Sequence, residues 1–154
     1  MMTLQNLRKE LLEKRNEKKA KLLRRFFKTG KGEYGEGDVF LGIMVPESRA
    51  LARKYHSLPF RDIQNLLKSK IHEERLIAIL MLVHRFEIGS PTEKKKMYDF
   101  YLRSTKYINN WDLVDLSAHK IVGMYLLDKP RGVLYKLAKS KNIWERRISI
   151  ISTF

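Results

Sequence analysis

The chain of 154 residues contains no cysteine, so neither a disulfide framework nor a thiolate metal site is open to it. Its four histidines, His56, His72, His84 and His119, stand too far apart for a sequence-local zinc motif, and neither a metal nor a cofactor is expected. No apolar run reaches the roughly 18 residues of a membrane span, and the N-terminus lacks the apolar core of a signal peptide. A cytoplasmic location is expected from that. Acidic residues are in short supply: 17 Asp and Glu face 32 Lys and Arg, a formal charge of +15. Self-repulsion at that charge costs stability unless a polyanion relieves it, which points to nucleic acid. A peripheral membrane protein would share the charge but needs an amphipathic segment with lipid-facing aromatics. Only the N-terminal stretch comes close, and no membrane partner is expected.

Proline is equally scarce, and its four copies act as punctuation. Pro46, Pro59, Pro91 and Pro130 each stand where a helix could begin, in the first turn where a missing N–H costs nothing. Ser90-Pro91-Thr92-Glu93 is the clearest start, a capping box with Pro just inside it. Between these stops apolar residues recur every three or four: Leu76, Ile77, Ile79, Leu80 and Val83; then Leu113, Val114, Leu116, Ile121, Val122 and Tyr125; then Val133, Leu134 and Leu137. Such stripes are core. They predict helices of about 10 to 16 residues with short joins, as in antiparallel helix pairs.

The first 28 residues read as one basic helix or two, with ten basic residues against three acidic ones. That charge either grips DNA or solvates a face. Residues 29–38 hold Gly30, Gly32, Gly35 and Gly37 with no strand before them and no helix opening directly after, so a mobile linker is expected rather than a phosphate-cradling loop. Residues 39–154 form the helical remainder.

A faint repeat runs through that remainder. His72-Glu73-Glu74-Arg75-Leu76 reads like Trp144-Glu145-Arg146-Arg147-Ile148, and each follows a Lys-Ser-Lys, at 68–70 and 139–141. The spacing is two units of roughly 36 residues, the size of a helical-hairpin repeat. Asn109-Asn110-Trp111 echoes Asn142-Ile143-Trp144. The fold expected is all-α, a right-handed solenoid of stacked antiparallel helix pairs with HEAT-like repeats. In such a stack the N-termini of second helices line up as an anion trough on the concave face, strengthened by Arg75, Arg146 and Arg147. Trp111 and Asp115, four apart, share one face of their helix, and Asp112 lies toward the other. Spacing alone leaves two readings open: favourable acids at a positive helix end beside a half-buried Trp, or acids kept among the bases for chemistry.

The strings Phe40-Leu41-Gly42-Ile43-Met44-Val45-Pro46-Glu47-Ser48-Arg49, Asn110-Trp111-Asp112-Leu113-Val114-Asp115 and Asn142-Ile143-Trp144-Glu145-Arg146-Arg147 resemble the AlkD-like DNA alkylation repair family in order and separation. The resemblance covers the chain from about Phe40 to its end. It implies a HEAT-like solenoid that excises positively charged alkylated purines from double-stranded DNA. It places the catalytic aspartate on Asp115, the aromatic side chain packing on the nucleotide's sugar on Trp111, and the arginine completing the cleft on Arg147. It makes Arg49 a phosphate contact on the loop that approaches DNA, with Met44 where a polar residue can occur. Trp144, Arg75 and Arg146 join it as expected DNA contacts. Asn110 stands where a typical member has a second Trp.

The implied chemistry asks for little. An N3- or N7-alkylated purine already carries positive charge and leaves as a neutral base without a general acid. One carboxylate then suffices to stabilise the charge growing on the deoxyribose and to orient water. Glycoside hydrolysis needs two because its leaving group must be protonated. The resemblance also implies a sugar held at an open surface instead of a base extruded into a deep pocket. Residues Ile148 to Phe154 run apolar without a capping residue, so further C-terminal repeats, and a monomer when these are present, are expected. Two other readings stand beside the glycosylase: a non-catalytic DNA-binding relative, for which Met44 and Asn110 speak, and a protein-binding scaffold, against which the Arg and Lys of the expected groove speak.

Overall fold

A computed structural model describes residues 1–154, and the chain is all-α. Its nine α-helices are α1 (Leu4–Glu13), α2 (Glu17–Phe26), α3 (Val45–Lys54), α4 (Phe60–Leu67), α5 (His72–Ile88), α6 (Pro91–Arg103), α7 (Trp111–Asp115), α8 (Gly132–Ala138) and α9 (Ile143–Ile151). A 3₁₀ turn at Thr105–Tyr107 and a π-helical turn at His119–Gly123 flank α7. The only β pairing is one isolated bridge, Val39 with Ile71. The chain forms two compact units, Met1–Met81 and Leu82–Phe154, so the division falls inside α5. No helix is long and apolar enough to cross a membrane.

Helix starts follow local chemistry. Ser90 Oγ accepts from the Glu93 amide while the Glu93 carboxylate accepts from the Ser90 amide, with Pro91 at the first position of α6. Pro46 sits in the first turn of α3, and Pro59 immediately precedes α4. Side chains of Thr3, Asn16 and Asn142 cap α1, α2 and α9, each accepting from an amide of the first turn.

Helix α5 differs from its expected stripe. Every residue from His72 to Val83 is buried, because the run Leu76 to Val83 is apolar on all sides and leaves no face for water. The charged first turn is carried inward with it, at 1 to 4 % exposure for His72, Glu73, Glu74 and Arg75. Charges buried to that depth need partners. Glu74 receives two hydrogen bonds of 3.0 Å from Arg8 of α1. Glu73 accepts from the amides of Leu41 (3.0 Å), Gly42 (2.9 Å) and Ile43 (3.3 Å), fastening the loop that leads into α3. Arg75 donates to Asp38 (2.7 Å) and to the Ser69 carbonyl (2.9 Å).

The glycine-rich stretch, expected to be a mobile linker, is a chain of bonded turns in unit one. Gly30 and Gly32 donate to the carboxylates of Glu33 and Glu36, and Gly35 donates to the Lys28 carbonyl. Burial works against the charge on Asp38, but the hydrogen bond from His72 and the Arg75 guanidinium outweigh it and hold the carboxyl below its usual range. Phe27, Phe40 and His72 stack beside this network with ring centroids 4.7 to 5.2 Å apart.

Gly42 fixes the loop's course. Its φ is +86°, and a Cβ there would stand 2.0 Å from the Asn16 carbonyl oxygen, at the joint of α1 and α2. Left-handed backbone strain and that clash together make Gly42→Ala cost about 3 kcal/mol or more. Thermal unfolding should therefore move down by roughly 6 °C or more; an unchanged midpoint would show that the loop can take another path.

Candidate active site

The second unit builds a small constellation around α7. Helix α7 is a single turn, opened by the Asn110 side chain accepting from the Trp111 amide at 2.8 Å. It stops directly after Asp115 because Ser117 takes over its carbonyls. Ser117 Oγ donates to the Leu113 carbonyl at 2.5 Å, and the phenol of Tyr101 on α6 lies 2.7 Å from the same oxygen. With Ser117 donating onward, the Tyr101 hydroxyl is the donor to it. Tyr101 is fully buried. Burial pushes its phenol well above the usual range, and the nearby charge of Asp115 adds to the rise.

Beyond Ser117 the chain widens into the π-helical turn, where Gly123 meets α9. A Cβ on Gly123 would stand 2.5 Å from the Ser152 carbonyl oxygen, so only glycine allows this approach. Helix α9 consequently packs against α7 as well as α8. That packing brings Arg147 to Asp115. Its Nε and Nη2 donate to Oδ1 and Oδ2, both at 2.7 Å, a parallel two-pronged pair. The hydrogen bonds from Arg147 to Asp115 raise the guanidinium's pKa, burial lowers it, and the carboxylate's charge adds to the rise. The side chains of Asp115 and Arg147 remain 31 % and 41 % exposed. A pair so open to water contributes about 1 kcal/mol or less to stability. Its consequence is geometric: two bonds fix the plane of a carboxylate that solvent still reaches.

The expected site residues fall into two groups. In the second unit, Asp115 and Arg147 meet, Trp111 stands one turn before Asp115 on the same face, and Trp144 lies one turn before Arg147. Trp111 and Trp144 are both half-buried, whereas Asp112 is buried with its carboxylate accepting from the Leu113 amide. In the first unit, Met44 is exposed at the start of α3 and Arg49 is half-buried on that helix. Arg75 needs correction as a phosphate contact. It is 3 % exposed, and both its bonds serve the core of its own unit.

The reason lies in the repeat's register. Ser69 Oγ accepts from the amide of residue 71 at 3.0 Å, and Ser140 Oγ accepts from the amide of residue 142 at 3.0 Å. Arg75 Nη1 donates to the Ser69 carbonyl at 2.9 Å, and Arg146 Nη1 to the Ser140 carbonyl at 2.7 Å. Arg75 therefore corresponds to Arg146, and Arg147 corresponds to Leu76. The sequence comparison, which set Arg75 against Arg147, was out by one residue. Arg146 is half-buried and spends one edge of its guanidinium on that carbonyl.

Sequence reasoning also missed Tyr101, Ser117, Gly123 and Glu145. Glu145 accepts from Thr105 at 2.7 Å, and hydrogen bonds from Ser140 and Thr105 hold its carboxyl low against the opposing effect of burial. No group of three or more His, Cys, Asp or Glu side chains is arranged to hold a metal ion.

The Tyr101–Ser117 bond should behave as a buried neutral pair. Ser117→Ala strands the phenol and should cost about 2 kcal/mol, while Tyr101→Phe combined with it should recover at least half of that loss, because both polar partners then vanish together. Denaturant unfolding of the three variants measures this; a fully additive double variant would mean that the two hydroxyls do not depend on each other.

A family model described as DNA alkylation repair enzyme matches residues 7–154. Among curated proteins and among solved structures no match was found. With almost its whole length covered, the chain belongs to the DNA alkylation repair enzyme family.

Proposed function

We propose that this protein is a DNA glycosylase that binds duplex DNA and hydrolyses the N-glycosidic bond of cationic N3- or N7-alkylated purines. The observation that carries the proposal is the Asp115 carboxylate, solvent-reachable yet held in one plane by Arg147, with Trp111 one turn away on the same face. The strong positive charge of the chain supports a polyanionic substrate.

In this mechanism the alkylated base takes the electrons of the breaking C1′–N bond and so loses its positive charge. No proton donor is required at the leaving group. The developing oxocarbenium ion on the sugar is stabilised by the Asp115 carboxylate, and the face of the Trp111 indole contributes its negative quadrupole. Water adds to C1′ and gives its proton to Asp115 or to solvent. Arg147 acts through Asp115 by aiming the carboxylate. Met44 at the start of α3 and Arg49 within it, and Trp144 and Arg146 on α9, are the proposed contacts to the DNA.

A second reading has one observation in its favour: Arg147 already occupies both oxygens of the carboxylate. A non-catalytic DNA-binding relative would show steep salt dependence of duplex binding and no base release from any alkylated duplex.

Release of 7-methylguanine from methylated duplex DNA separates the two. Asp115→Asn should slow release by about 100-fold or more, the size of loss seen when one group stabilising transition-state charge is removed, with duplex affinity nearly intact. Trp111→Ala should slow it by roughly 10-fold, in keeping with a cation–π contribution of about 1 to 2 kcal/mol. Release by Asp115→Asn at the unaltered rate would remove the glycosylase reading.

A further inference from the structure

The outer face of α2 remains unexplained by the site on α7 and α9. Among the ten residues of this helix only Ala20 is buried, while Leu22 and Phe26 are 66 % and 62 % exposed. At about 100° per residue these two stand next to each other, roughly opposite Ala20. The same rotation places Lys18 and Arg25 on one flank of the Leu22–Phe26 pair and Lys19 on the other. All three are exposed, and none forms an ion pair. The helix's one acid, Glu17, is turned to the far side and tied there to Arg24 at 2.7 Å.

A merely solvated face would account for the cations but not for two large apolar side chains set between them. No acid of the helix stands on this face. The Asn16 cap at one end and the left-handed Lys28 (φ +51°) at the other hold α2 as a defined helix.

We propose that this face is a second DNA-binding surface, in which Lys18, Lys19 and Arg25 neutralise backbone phosphates while Leu22 and Phe26 lie against the sugars between them. It rests on the reading that the protein acts on duplex DNA, and it concerns binding and not the chemical step. An anionic lipid surface has the same charge, but an interfacial helix presents a continuous apolar face. Here two side chains are bracketed by cations on both flanks, which fits a narrow track of phosphates better.

The test is the salt dependence of affinity for an undamaged duplex, measured on the full chain. In the variant Lys18→Gln/Lys19→Gln/Arg25→Gln the slope of log affinity against log salt should fall by about 2 to 3, at close to 0.9 for each phosphate no longer neutralised. Leu22→Ala/Phe26→Ala should weaken binding several-fold at fixed salt with the slope unchanged. Single-turnover base release at saturating protein should be unaffected in both. An unchanged slope and affinity would overturn the assignment. So would a fall of about 0.9, the full share of one phosphate contact, for Arg24→Gln, which removes a charge from the other side of the helix. Loss of binding to phosphatidylserine vesicles with duplex binding intact would assign the face to lipid and overturn it too. If the unaltered protein binds no duplex at all, the glycosylase reading fails first; if it binds with a slope indifferent to these substitutions, only the α2 surface fails.

Discussion

The bidentate contact between Asp115 and Arg147 is the constraint on which the candidate site depends. A carboxylate on a one-turn helix has little to hold it. Partial exposure leaves it room to rotate. Two bonds of 2.7 Å to a planar guanidinium remove that freedom. Because the pair is half open to water, its contribution to stability is small, and its value to the molecule lies in orientation. The rest of the second unit can be traced from this requirement. Gly123 lets α9 approach, Ser117 ends α7 immediately beyond the acid, and Tyr101 anchors Ser117 from α6.

One structural device serves both units with different outcomes. Ser69 with Arg75 and Ser140 with Arg146 make matching bonds at the starts of α5 and α9, the serine bracing the turn and the arginine reaching back to its carbonyl. The next position then decides what the helix does. In α5 it is Leu76, which enters an entirely apolar run and goes into the core. In α9 it is Arg147, which faces Asp115. A repeat built for packing thus turns an arginine toward the candidate site by changing one residue beyond the bonding pattern that its two copies share.

Much of this was legible in the sequence. The helix start at Ser90-Pro91 could be read because its chemistry is local, whereas Asn110 and Asn142 showed only as an echoed string and their capping role came from the structure. Trp111 and Asp115 could be placed on one face by spacing alone. Burial was less readable. The first turn of α5 looks solvated, with four consecutive ionisable residues, yet it lies inside because the apolar segment after it has no wet face. The glycine-rich stretch reads as a linker by composition, yet Glu33 and Glu36 close its turns and its last residue, Asp38, is held by Arg75, 37 positions away. Gly123 and Ser117 gave no signal, since close approach and the capping of a broken helix arise only when α6, α7 and α9 are together. The repeat was visible, but a one-residue error in register was enough to exchange a core arginine for the one at the site.

The most direct test of the aiming role is a double-mutant cycle across the pair, using single-turnover release of 7-methylguanine by Asp115→Asn, Arg147→Met and the combined variant. If Arg147 acts by aiming the carboxylate, the double variant releases base no more slowly than Asp115→Asn alone. If the two losses multiply, Arg147 works independently of Asp115, and the geometric role assigned to their contact is contradicted.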